Sequence, residues 1–458
     1  MIITLLAIAG ILYLALQLED KLKIPSPLGL IALSFLFHTF LGEEFMLTGD
    51  AEHFAVLVLF LLPVLLISDS LELSVSDLKE HGLSLFSLAV VAVSLSVVAA
   101  LLVGNTLFSE YHLSTAAIIV LFAMVLATDP VSVVSIFSKF ELPHQLKILC
   151  EGESLFNDAT ALIVFVFIGL YALDGGEITT GYITEISLLV VLGSAFLGVA
   201  FGYLALLLMK TTTNRTAEMM VLLIVGYGSF EISEHFYTLL NMIGVHSHMH
   251  LSGILTCIFA TITVNHIMMQ AIEVDNEHIE QVEEVLEKKP TSSNVIASAI
   301  AKIKMSVEER DRHLRTKEDV QLLALVANTM LFVAMAEVID LSLLWHYKTE
   351  ILVMFLATTV IRGVMMGLFA WVSNHTNKMA DVNFRWWGIL TFAGIKGGLS
   401  IVMLMMIPAS FEHLEMFKAV VIGVILLSTF IYSIILIAMI NKNQSAFSKE
   451  KEEEVHDL

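Results

Sequence analysis

Apolar runs about 20 residues long recur along nearly the whole chain, and that is the length a helix needs to cross the hydrocarbon core of a bilayer. They predict helical spans near 2–17, 28–42, 54–69, 84–104, 115–137, 147–172, 183–209, 217–236, 250–269, 320–344, 349–372, 386–407 and 418–440. Strands of a membrane barrel would instead show as short alternating segments, and the sequence has no such pattern. The expected fold class is an all-α polytopic membrane protein with about 13 transmembrane helices.

Basic residues test that count, because lysine and arginine collect on the cytoplasmic side. With the N-terminus outside, the inner loops and the C-terminal segment hold 20 of the 24 basic residues. Lys348 and Lys418 fall on the other side, while Arg362 and Lys396 fall within spans. Shifting the register by one span scrambles this asymmetry. The expected location is the cell membrane, the inner membrane in a Gram-negative cell, with the N-terminus outside and the C-terminus cytoplasmic. The first run has no basic segment ahead of it and continues into Glu19-Asp20-Lys21, so it reads as a retained span and not a cleaved signal peptide.

Composition agrees with this reading. The chain is 57% hydrophobic and 15% charged, with a mean hydropathy of +0.84, whereas a soluble domain carries roughly 25% charged residues. A net charge of −21 argues against a nucleic-acid partner. Cys150 and Cys257 sit far apart in apolar stretches, which implies packing and not a disulfide framework.

Two hydrophilic pieces remain. The segment 271–319 mixes both charge signs, with a short amphipathic helix expected around Val282, Val285 and Leu286 and a break at Pro290. It reads as a solvated cytoplasmic linker, with a regulatory or pH-sensing role as the sharper alternative. The acidic tail, 446–458, follows Lys442 and is expected to be disordered. The transmembrane domain therefore covers 1–445.

Ionisable groups inside spans are costly and mark ion paths or proton relays. Here they fall in four places. Ala127-Thr128-Asp129-Pro130 interrupts the fifth span, where Pro130 lacks an amide proton and disfavours helix at Asp129. Freed carbonyls beside a carboxylate and a hydroxyl suit a hard cation; the plainer alternative is that Asp129 caps the second half-helix. Glu151-Gly152-Glu153-Ser154-Leu155-Phe156-Asn157-Asp158 opens the sixth span. Ser154 and Asp158 share a face, with Asn157 one turn beyond Glu153. Arg362 lies near the centre of the eleventh span and needs a carboxylate, for which Glu153 or Asp158 is the natural partner. Gly394-Ile395-Lys396-Gly397-Gly398 interrupts the twelfth span, each glycine weakening the helix by about 1 kcal/mol. If spans 1–6 and 8–13 form two inverted repeats, the Pro break and the Gly break land in matching positions, a pattern that points to a transporter's binding site.

At these residues the chain resembles the monovalent cation:proton antiporters of the sodium/proton exchanger type, over about residues 1–445. The strongest elements are Ala127-Thr128-Asp129-Pro130-Val131 followed by Glu151 through Ala159. Weaker matches are His250-Leu251-Ser252-Gly253, Asn328-Thr329-Met330-Leu331-Phe332, Arg362, and Gly394 through Ser400. The resemblance implies a secondary transporter that exchanges sodium for protons by alternating access, with lithium or potassium left open by residue identity. Asp158 and Asp129 would hold the ion, Thr128 and Ser154 would add oxygen ligands, Glu153 would pair with Arg362, and Asn157 would steady the crossing of interrupted helices. The Asn157-Asp158 pair is similar to the electroneutral branch, which exchanges one sodium for one proton. The resemblance also implies a homodimer whose mobile core holds spans near 84–172 and 349–440 beside a dimerisation domain, with no cofactor beyond the transported ions. Lys396 and Ser68-Asp69 depart from the family pattern, which usually has Arg and Phe-Glu there.

Rival classes fit less well. An intramembrane aspartyl protease would share a proton between two Asp residues, but neither Asp129 nor Asp158 lies in Gly-x-Gly-Asp. No enzyme activity is expected. A cation channel or an uncoupled sensor on the same scaffold remains the alternative. His246, His248 and His250 alternate near the outer end of the ninth span, where they read as an incidental loop or helix start, with a pH-tuning role or a transition-metal site as the sharper alternatives.

Overall fold

A computed structural model describes residues 2–22, 26–41, 51–73, 75–242, 251–287 and 293–457, all helix and connecting turns among those residues. The helices in order are α1 (Ile2–Leu22), α2 (Ser26–Leu41), α3 (Ala51–Ser70), α4 (Val75–Leu107), α5 (Thr115–Leu126), α6 (Pro130–Phe137), α7 (His144–Leu173), α8 (Thr180–Met209) and α9 (Arg215–Glu234). They continue as α10 (Phe236–Met242), α11 (Gly253–Glu287), α12 (Ser293–Glu337), α13 (Leu341–His346), α14 (Lys348–Ser373), α15 (Phe384–Phe392), α16 (Gly398–Met405), α17 (Leu414–Leu427) and α18 (Ser433–Asp457). Among the described residues, nine helical stretches are long and apolar enough to cross a membrane. Two shorter apolar helices, Ser26–Phe40 and Val56–Ser70, add to them.

The chain divides into two compact units. Unit 1 contains Met1–Leu62, Asp77–Ser187 and Ala327–Leu458, and unit 2 contains Pro63–Ser76 and Leu188–Val326. Within unit 1, α5 is buried on all sides from Ala116 to Leu126, as expected of a helix apolar all round. Its start is fixed by Ser114, whose hydroxyl accepts the Ala117 amide at 3.1 Å. Unit 2 packs α9 against α11, where Gly226 lets Ile67 of α3 approach and Gly198 of α8 meets the backbone of Thr256. Cys150 and Cys257 are free and buried.

Three expectations change. Segment 271–319 carries much more helix than the one short stretch expected: α11 runs on to Glu287 and α12 starts at Ser293. Neither helix contains glycine or proline beyond Gly253, so nothing stops the backbone ladder where the side chains turn polar. The end of this insert is tied down within unit 2. Arg312 and His313 hold the buried Glu218 carboxylate, Arg215 pairs with Asp319, and Lys317 and Gln321 hold Glu72. The tenth span ends earlier than expected, at Glu337, because Asp340 accepts the Ser342 and Leu343 amides and starts α13. The tail is helical, not disordered: α18 continues to Asp457, with Phe447 fully buried and Ser448 and Gln444 bonded to Glu141. Pro290 and the histidines at 246, 248 and 250 lie outside the described residues.

A docked tail has a measurable signature. Amides of residues 443–452 should be protected from hydrogen exchange in the solubilised protein, and Phe447→Asp should remove that protection. Exchange at free-peptide rates in the wild-type tail would contradict the docked helix.

Candidate functional site

Two helices of unit 1 are interrupted where the sequence breaks fall, at 127–129 between α5 and α6 and at 393–397 between α15 and α16. Pro130 takes the first helical position of α6, where its missing amide proton costs nothing. The two breaks touch through their backbones. The Asp129 amide donates to the Ile395 carbonyl at 2.7 Å. A Cβ added to Gly397 would stand 2.6 Å from Asp129 Cβ, so only glycine fits at this approach.

Breaking a helix inside a membrane frees carbonyls at one end and amides at the other, and each must find a partner. The α5 end is answered by cations and amides: the Leu126 carbonyl accepts Asn157 Nδ2 at 3.0 Å and Lys396 Nζ at 3.3 Å. Lys396 is buried, and its own amide donates to Ser428 Oγ at 3.1 Å. The α6 start is answered by an anion, since the Asp129 carboxylate accepts the Val131 amide and the Ser132 hydroxyl. Charge of each sign thus faces the helix end that favours it. The capping alternative for Asp129 is what the geometry displays.

The α7 face lies against the first break. Asp158, 7% exposed, accepts the Thr128 amide at 2.8 Å. Ser154 donates its hydroxyl to Thr128 Oγ1 at 2.7 Å. Asn157 Nδ2 also reaches Thr128 Oγ1 at 3.1 Å and Glu153 Oε1 at 3.3 Å, while its Oδ1 is buried and has no hydrogen-bond partner among the described residues. Thr128, Ser154, Asn157 and Asp158 therefore meet in one cluster of oxygens and one amide.

Arg362 lies one layer away. Its guanidinium, 8% exposed, grips Glu153, 1% exposed, with two parallel bonds of 2.9 Å. Its remaining donors reach the Leu390 carbonyl at 2.9 Å and the Thr391 carbonyl at 3.0 Å, in the last turn of α15. Both charges are therefore paired and further bonded, the condition under which a buried pair is tolerated. A Cβ on Gly394 would come within 2.6 Å of Arg362 Cζ, so that glycine leaves room for the guanidinium. Glu153, and not Asp158, is the arginine's partner.

The sequence reading missed the backbone partners. Ile395, Leu126, Leu390 and Thr391 act through carbonyls, which carry no residue signature. Ser132 had a signal, three residues after an N-cap Asp. Ser428 lies in a π turn, Ser428–Tyr432, with no such mark.

Fold and site together define a polytopic helical membrane protein with a charged helix crossing, the class of ion-coupled secondary transporters. The chain belongs to the sodium/hydrogen exchanger family, whose transmembrane profile matches residues 3–287 and 290–442. It is similar to the Na(+)/H(+) antiporter NhaH of Halobacillus aidingensis, 25% identical over 421 residues, which cover 91% of this chain and 89% of that one. A 231-residue stretch is 32% identical to the Na(+)/H(+) antiporter NhaG of Bacillus atrophaeus, covering 47% of this chain and 42% of that one. In fold it matches the sodium proton antiporter MjNhaP1 from Methanocaldococcus jannaschii solved at pH 8, with a TM-score of 0.65, 19% identity and 98% of each chain covered.

Removing one partner of the buried pair should be expensive. Arg362→Ala should destabilise the solubilised protein by about 3–5 kcal/mol, and Arg362→Lys should not restore it, because an ammonium cannot make the paired fork. Thermal unfolding in detergent checks this; an unshifted melting temperature in both variants would contradict it.

Proposed function

We propose that this protein exchanges sodium for protons across the cell membrane, with Asp158 as the carboxylate for which the two ions compete. The observation that supports the reading is the cluster on the first helix break, where Asp158, the Thr128 and Ser154 hydroxyls and Asn157 Oδ1, which has no hydrogen-bond partner among the described residues, converge within buried structure. Those are hard oxygen donors of the kind that bind an alkali cation. Asp129 supplies a second carboxylate across the crossing. Its capping contacts occupy part of a carboxylate's roughly four acceptor positions. Glu153 and Arg362 neutralise each other, and Lys396 steadies the end of α5.

Exchange follows from exclusion. Sodium requires Asp158 ionised and a proton neutralises it, so the site holds one or the other. If only the neutralised site can cross a low-dielectric barrier, each ion moved one way is matched by one moved back, which gives electroneutral one-for-one exchange. Alternating access is then a movement of the core (84–172 and 349–440) against a scaffold in a homodimer. The orientation, N-terminus outside and C-terminus cytoplasmic, rests on the lysine and arginine distribution.

The test is reconstitution in liposomes carrying a pH dye. Sodium added outside acid-loaded vesicles should raise the internal pH, with lithium and potassium ranked in the same assay. Asp158→Asn should lose the response while eluting and melting like the wild type. Robust exchange by that variant would remove Asp158 from the site, and no response of wild-type protein to any of the three cations would favour a channel or a sensor.

A further inference from the structure

The start of α7 is capped from the far end of the chain. Pro143 occupies the position before the first turn of this helix and has no side chain able to accept its amides. Those amides are taken instead by Glu454 on α18, with Oε2 accepting His144 N at 2.6 Å and Oε1 accepting Gln145 N at 2.8 Å. An anion is what a helix start favours, and here it comes from more than 300 residues away in sequence.

One turn earlier on the same helix, Glu450 does the corresponding work at α15. Its Oε1 accepts Asn383 Nδ2 at 3.1 Å and also the Arg385 guanidinium, while Oε2 accepts the Trp386 indole at 3.0 Å. Asn383 is itself the cap of α15, holding the Trp386 amide at 3.0 Å. Residues four apart on a helix share a face. Glu450 and Glu454 therefore hold the first turns of α15 and α7 side by side. Phe447 buries the same helix one turn further back, and Glu141, just ahead of Pro143, accepts the Ser448 hydroxyl at 3.3 Å.

Helices α7 and α15 meet again deeper in unit 1, where Arg362 joins Glu153 of α7 to the Leu390 and Thr391 carbonyls of α15. From His144 to Glu153 is about 13 Å of helix, and from Asn383 to Leu390 about 10 Å, at the usual rise of about 1.5 Å per residue. The two ties thus form two rungs at comparable depth along both helices. Of the deeper rung, the sequence points to the Arg362–Glu153 pair but not to the α15 carbonyls. It does not point to the outer rung, carried by the acidic tail.

We infer that the C-terminal helix is a positioning element of the ion site: Glu454 and Glu450 set the alignment of α7 with α15 and thereby tune sodium affinity. This rests on the reading that α7 carries the ion carboxylate. Both rungs join elements of unit 1 to one another, so release of the tail should loosen the site and not free a brake on transport. The rung is also accessible to control, because it lies at helix ends and Arg385 and Glu450 are half-buried.

The experiment uses full-length protein with Glu454→Ala, the near-isosteric Glu454→Gln, and Pro143→Ser combined with Glu454→Ala. A serine at 143 can supply the lost cap locally: Pro143 holds φ −53° and ψ 139°, close to the φ −65° and ψ 158° at which Ser114 caps α5. Two readouts are taken, hydrogen exchange at residues 144–147 in detergent and the sodium half-saturation of exchange in liposomes. Glu454→Ala should speed exchange at 144–147 and raise half-saturation about fivefold, equivalent to the ~1 kcal/mol that a lost cap costs. The maximal rate should change far less, Glu454→Gln should fall between, and Pro143→Ser should restore both readouts. Unchanged exchange at 144–147 in Glu454→Ala would overturn the cap. Faster exchange with unaltered sodium half-saturation would overturn the positioning role, as would failure of Pro143→Ser to restore affinity. The exchange readout needs no transport, so an error in the ion-site reading shows separately, in Asp158→Asn.

Discussion

A broken helix in a bilayer is stable only if its loose ends are answered, and the crossing of the two breaks depends on that constraint. Leu126 ends α5 with a carbonyl held by Asn157 and Lys396, and α6 begins with amides held by Asp129. The direct tie from the Asp129 amide to the Ile395 carbonyl lets one break serve as partner to the other. With no water in the hydrocarbon core, each unmade bond would cost several kcal/mol. The charges at the crossing are therefore structural before they are functional. They hold irregular backbone at membrane depth, and irregular backbone is what exposes ligand oxygens.

Arg362 extends the same logic outward. It satisfies a buried carboxylate, Glu153, and two carbonyls at the end of α15 with a single planar group. Asp158, five residues further along α7, instead accepts the Thr128 amide. The division of labour between two carboxylates on one helix is set by which of them the guanidinium reaches. Glu153 is locked as a structural anion, and Asp158 faces the first helix break.

Much of this was legible in the residues. Pro130, and the glycines around Lys396, are local signals that act through backbone geometry, so the breaks appeared where they were expected. Ser154 and Asp158 on one face, with Asn157 beside it, follow from helical spacing once α7 is recognised, whereas Thr128 joins them through the resemblance. The carbonyl partners were not legible, because a backbone group looks the same in every residue. The tail and the 271–319 insert were misread for a different reason. Their charge suggested solvated coil, but the helices Gly253–Glu287 and Ser293–Glu337 hold no proline and no glycine after Gly253, the tail 446–458 holds neither, and a few anchors such as Phe447, Glu454 and the Glu218 pair with Arg312 dock them. Charge density predicts disorder only when a segment has nothing to bind, and long-range partners do not show in local composition.

The central claim is that sodium and a proton contend for one carboxylate. The most direct measurement is the sodium half-saturation of exchange as a function of pH, taken on both sides of the point where that acid protonates. On the acid side, half-saturation should rise about tenfold for each unit fall in pH, and on the alkaline side it should level off. A half-saturation that ignored pH across the whole range would mean that the two ions bind at separate sites, and would contradict the account.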